Sequence, residues 1–103
     1  MNPIKCNFMV VQAAPDVWDV LIFAPPGVLK AFQETYTSGA FFVEKSVFNQ
    51  SPMAVIPAFP NKEHAEIWKE YWKSALEDPD TSCQTCPTVR EFFERVEKYL
   101  KNE

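Results

Sequence analysis

The residues best equipped for chemistry lie near the C-terminal end, in the run Cys83-Gln84-Thr85-Cys86-Pro87. Two thiols at this spacing reach one disulfide or share one metal ion. Cys86 falls just before an expected helix start, where the helix dipole lowers a thiol pKa, so the pair is a candidate redox site. A thioredoxin-like motif would follow a first strand, and this one does not. A zinc site needs four ligands, and the soft residues left over are Cys6 and His64, both distant in sequence. Three readings therefore stand: a structural or incidental pair, a reversible disulfide clamping a loop onto the last helix, and a metal site. No ligand set is complete, so no metal or cofactor is expected.

His64 is the single histidine. It sits in the first turn of the strongest helical pattern, in line with Trp68, Tyr71 and Ala75. A helix N-terminus disfavours its charge and leaves a neutral imidazole able to act as base or donor; the plainer alternative is a capping or packing histidine. Trp18, Tyr36, Trp68, Tyr71 and Trp72 are suited to lining a pocket for a flat apolar ligand. They are equally suited to a core or a dimer interface. The tentative ligand pocket is therefore His64, Tyr36, Trp68, Tyr71 and Trp18. No catalytic residue is assigned. With only Gly27 and Gly39, a glycine-rich phosphate loop cannot be built, and neither a Ser-His-Asp triad nor a working carboxylate pair is present.

A chain of 103 residues and 11.9 kDa fits one domain, spanning 1–103. Aromatics make up 15%, so even this short chain has the rings for a real core. Net charge is −4 and Lys and Arg do not cluster, which argues against nucleic acid as a partner. Without an apolar run of roughly 20 residues, no membrane span is expected. The N-terminal residues lack a secretory pattern, and three cysteines are an odd count for a disulfide framework. A soluble cytoplasmic protein with reduced thiols is the expectation.

The elements that must position these groups follow from periodicity. Residues 4–12 predict a strand. Residues 16–24 fit either a helix opened by Pro15 or a strand carrying Val17, Val20, Ile22 and Phe23. Residues 28–38 predict a helix ending at Gly39. Strands follow over 40–48 and 53–59, and Pro57 places the second at a sheet edge or at a bulge. Asn61 caps a helix running to about Glu77, with Ala65, Trp68, Tyr71, Trp72, Ala75 and Leu76 on one stripe. Residues 78–87 read as a polar loop. The last helix, 88–101, carries Val89, Phe92, Phe93, Val96 and Leu100, with Thr88 and Glu91 as a capping box. The core should include Phe8, Val10, Leu29, Phe32, Val43, Val55, Phe92 and Val96. The expected fold class is α+β: a small antiparallel sheet covered on one face by amphipathic helices.

The stretch from Val28 to Leu76 resembles the ferredoxin-like dimeric α+β barrel superfamily, which includes stress-responsive barrel, YCII-like and cofactor-free monooxygenase-like proteins. The resemblance is carried by the helix ending at Gly39, the strand pair AFFVEKSVF and MAVIPAF, and the helix entered by Pro60-Asn61-Lys62-Glu63-His64-Ala65 with Trp68 and Tyr71 inside. It covers about half the chain and rests on pattern. The usual fourth strand is replaced by the cysteine loop and an extra C-terminal helix; a strand over 16–24 would supply the missing one from the other end. No catalytic motif of the superfamily is matched. The expected function is an association or small-ligand-binding module, homodimeric through its sheet or aromatic surface. A cofactor-independent monooxygenase or isomerase using His64 and Tyr36 is one alternative; a thiol redox or zinc protein using Cys83 and Cys86 is another.

Overall fold

The computed structural model describes residues 4–36, 41–43 and 52–101, without the side chains of 41–43, Ser82, Cys83, Thr85 and Lys101. The elements are β1 (Asn7–Ala14), β2 (Val17–Phe23), α1 (Pro26–Thr35), β3 (Phe41–Val43), β4 (Met53–Phe59), α2 (Lys62–Glu77), α3 (Pro79–Thr85) and α4 (Pro87–Lys101). Gly39, Ala40, residues 44–48 of the expected strand 40–48 and the side chain of Val43, expected in the core, lie outside the described residues. The fold is α+β, as expected.

The ambiguous run 16–24 is a strand. Pro15 and Asp16 form the turn of a hairpin, and the Gln12 side-chain amide donates to the Pro15 carbonyl at 3.1 Å. β2 then pairs on both sides, Phe8 with Ile22 and Ile22 with Ala54. The sheet order is β1-β2-β4-β3, every pairing antiparallel. β2 and β3 therefore run parallel, joined through α1, with β4 between them. This arrangement is consistent with a ferredoxin-like variant whose outer strand comes from the N-terminus. β1, rather than residues 16–24, fills that outer place.

β4 is an interior strand, so the edge placement of Pro57 does not hold; the bulge does. The register slips between Trp18–Phe59 and Val20–Ile56, which leaves Pro57 and Ala58 opposite Asp19. Ala58 is left-handed at φ 70°. Its N–H donates to Asp19 Oδ1 at 3.2 Å. The bulge thus absorbs the donor that proline lacks and hands the next N–H to a side chain.

All four helices contribute to one face of the sheet or to each other. α1 begins at Pro26, where a missing N–H costs nothing, two residues earlier than expected. α2 begins as its sequence predicts: Asn61 caps it and accepts the His64 N–H at 2.9 Å. Lys69 meets Glu66 at 2.8 Å on its outer face. Residues 79–85 are helical rather than a loop. Pro79 starts the turn and is buried, so tertiary contact holds a segment whose polar composition reads as irregular. α4 begins at Pro87, which puts Cys86 at the capping position and Thr88 inside the first turn; the expected capping box at Thr88 is not formed.

The core brings Val20, Ile22, Ala54 and Ile56 of the sheet together with Val28, Leu29 and Phe32 of α1, Trp72 and Leu76 of α2, and Val89, Phe92, Phe93 and Val96 of α4. Phe32 is its hub: its ring lies 4.4 Å from Phe92, 5.0 Å from Trp72 and 6.1 Å from Trp68. Each such pair adds about 0.5–1.5 kcal/mol beyond area burial. Phe8 and Val10 are partly buried against this core, and Val55 is buried on the other sheet face. Two residues of the expected stripes are about half exposed: Tyr71, flanking the buried Trp72, Ala75 and Leu76 of α2, and Leu100 near the end of α4. α4 rests mainly on α1 and reaches α2 through Phe92 and Trp72, 4.8 Å apart. Its rings are therefore hidden by helices, not by the strands themselves.

Candidate functional site

The start of α4 is where chemistry gathers. As the residue before Pro87, Cys86 points its thiol at the open end of the helix, where N–H groups have no partner in the preceding turn. The Tyr71 hydroxyl donates to its sulfur, as do the backbone N–H groups of Val89 and Thr88 and the Thr88 hydroxyl. These donors, Tyr71 foremost, hold the Cys86 thiol below its ordinary value. The same bond, with some burial, pushes the Tyr71 hydroxyl up to about 12. Tyr71 is thus a proton donor at neutral pH, and the Cys86 sulfur is the group that gains negative charge.

Tyr36 lies close enough to feel both groups electrostatically. Its hydroxyl accepts the Trp72 indole N–H at 2.8 Å and is also bonded to Trp68. Burial raises its pKa, and the two indoles partly offset that. Trp68 is ringed by Phe8, Phe32, Tyr36, Phe59 and Trp72 at 5.6–6.4 Å. The structure therefore joins part of the expected pocket, namely Tyr36, Trp68 and Tyr71, to one member of the expected redox pair.

The other expected residues lie apart. His64 is exposed, and its Nδ1 sits 3.0 Å from the capping Asn61 Oδ1. Trp18 packs on the core from β2, beneath the Lys62 ammonium at 6.0 Å; among the described residues it makes no ring pair with Trp68. The side chain of Cys83 lies outside the described residues, although its backbone is helical three positions before Cys86. Cys6 is the counter-example to Cys86: burial pushes its thiol up to about 12, leaving it protonated. Among the described residues no group of His, Cys, Asp and Glu is placed to hold a metal ion, and no helix is long and apolar enough to cross a membrane.

The sheet face away from the helices is the second feature. Leu21 and Val55 are only 4% and 3% exposed, yet neither belongs to the core cluster. They form a cross-strand row, Met9–Leu21–Val55–Phe41, through all four strands. Val11, Phe23 and Met53 share that face. Its one charged residue among the described strands is Asp19, whose carboxylate is occupied by Ala58.

Sequence reasoning missed Thr88 as a donor to sulfur. Its only signal was the hydroxyl two residues beyond Cys86, which periodicity assigned to a cap. Comparison with family models, curated proteins and solved structures finds no match to this chain.

Proposed function

We propose that this chain is an association module that pairs with a second copy of itself through the face of its sheet that turns away from the helices. One observation carries the reading. β2 and β4 each carry three apolar residues in a row, Val20-Leu21-Ile22 and Ala54-Val55-Ile56, and on the face away from the helices Met9 is 42% exposed. A sheet covered on one side alternates apolar with polar residues, whereas continuous apolar runs belong to sheets covered on both. The helices cover one side. A second copy suits the other because a two-fold axis sets the same apolar row against itself. The strand order also supports it, since the resemblance to dimeric α+β barrels implies two such sheets facing each other.

Sedimentation equilibrium tests this directly. Met9 is 42% exposed, so Met9→Glu places a charge on the face without emptying the core. A dimer that this variant dissociates, with helical circular dichroism unchanged, is the expected result. A monomer at high concentration defeats the reading.

A second reading, favoured by the donors around Cys86, is thiol–disulfide exchange. The Cys86 thiolate attacks a disulfide of a small molecule or protein, forming a mixed disulfide and expelling one thiolate. The Cys83 thiolate then attacks the Cys86 sulfur and expels the other. The substrate disulfide is reduced and Cys83–Cys86 is oxidised. With oxidised glutathione as probe, Cys83→Ser should stop at a stable mixed disulfide. Absence of any adduct at Cys86 rules the reading out.

A further inference from the structure

A groove runs along the outer edge of β1, on the side of α2. It is lined by Ile4, Cys6 and Phe8 from the N-terminal segment, by Leu76 from α2, and at its rim by Lys5, Asn7, Lys73 and Glu77; its volume is about 360 Å³. A smaller hollow of about 170 Å³ continues it past Phe8 to Lys69 and Lys73. Beside it the Ile4 N–H donates to the Leu76 carbonyl at 3.3 Å.

We propose that this groove binds a small organic anion with an apolar body, its charge held by Lys73 and Lys5 and its body lying on Ile4, Phe8 and Leu76. The volume falls within the range of small-ligand sites, which are apolar with a few placed polar groups. The charges select the sign. Lys69 is satisfied by Glu66 at 2.8 Å and Glu70 at 3.8 Å. Among the described residues, Lys73 and Lys5 have no carboxylate within ion-pair distance, although Glu77 stands one helical turn from Lys73. Two uncommitted ammonium groups against one carboxylate leave the rim cationic, in a chain of net charge −4. Long lysine stems also extend the apolar wall while their heads stay in water. A carboxylate on a short hydrocarbon or aromatic body matches that layout; a cation with the same body does not. The proposal is independent of the dimer reading, because the groove lies on the helix side of β1.

Octanoate is the probe, titrated by calorimetry against the full chain, with octylammonium as the matched cation. Saturable binding of one octanoate per chain is expected, with octylammonium about tenfold weaker or absent. Lys73→Glu and Lys5→Glu should each weaken octanoate severalfold or more, while Lys62→Glu, which lies outside the groove, should not. All three positions are exposed, and circular dichroism confirms that the variants fold. No saturable octanoate binding, equal binding of the two probes, or rim variants that bind like the parent overturns the proposal.

Discussion

The indole N–H of Trp72 donates to the Tyr36 hydroxyl at 2.8 Å, joining the buried stripe of α2 to the end of α1. Trp72 is fully buried, so its N–H has no water to turn to. The bond therefore sets where α1 stops relative to α2, and it keeps the Tyr36 hydroxyl beside the Cys86 region.

Tyr36→Phe removes the acceptor and leaves the indole donor unsatisfied. The expected cost is about 1–3 kcal/mol, read as a lower midpoint in urea unfolding followed by tryptophan fluorescence. An unchanged midpoint would mean that the bond contributes nothing.

Thiol reactivity should separate the cysteines. Cys86 is held below the ordinary thiol value by Tyr71 and the α4 N–H groups, whereas burial holds Cys6 far above it. Iodoacetamide near neutral pH should modify Cys86 well before Cys6, as mass spectrometry of digests would show. Tyr71→Phe deletes a bond to the thiolate, so the pH midpoint for Cys86 alkylation should move up.

Stability should fall at alkaline pH. A folded Cys6 near 12 against an ordinary 9.0 stabilises the protein fully below about 9, and that contribution is lost as pH rises towards 12. Tyr71 acts in the same sense between 10.0 and about 12. Cys86 acts oppositely: its contribution is present above the ordinary thiol value and lost as pH falls through its lowered one. Urea midpoints at about pH 8 and about pH 11 should show a net loss, and Cys6→Ala should flatten it. An equal slope in both proteins would remove Cys6 from the account.

Ala58 sits at φ 70°, where a Cβ costs about 1–2 kcal/mol. Glycine removes that strain but adds about 0.5–1 kcal/mol of unfolded-chain entropy. Ala58→Gly should therefore raise stability slightly, by about 0.5–1 kcal/mol in chemical denaturation. A loss would mean that the methyl group packs usefully at the bulge.

Some of this was legible beforehand. The Asn61 cap, the α2 stripe through Trp72 and the α4 stripe through Val96 stand where periodicity puts them, because each is set by residues three or four apart. The bulge at Pro57 was legible too, since proline lacks the donor that a ladder needs. Residues 79–85 were not legible as a helix: five of the seven are polar and have weak helical preference, and a buried Pro79 holds the segment there. Nor was the meeting of Tyr71 with Cys86, which depends on how α4 settles against α1 and α2.

By itself, then, the amino-acid order determined the local patterns: amphipathic helices, the Asn61 cap, apolar strands and a thiol just ahead of the last helix. These depend on neighbours along the chain. Only the tertiary structure decided whether 16–24 extends or coils, since its apolar spacing serves both and pairing to β1 and β4 breaks the tie. It also decided that the Tyr71 hydroxyl faces the Cys86 sulfur, because contacts between distant segments arise only once burial has fixed the layers.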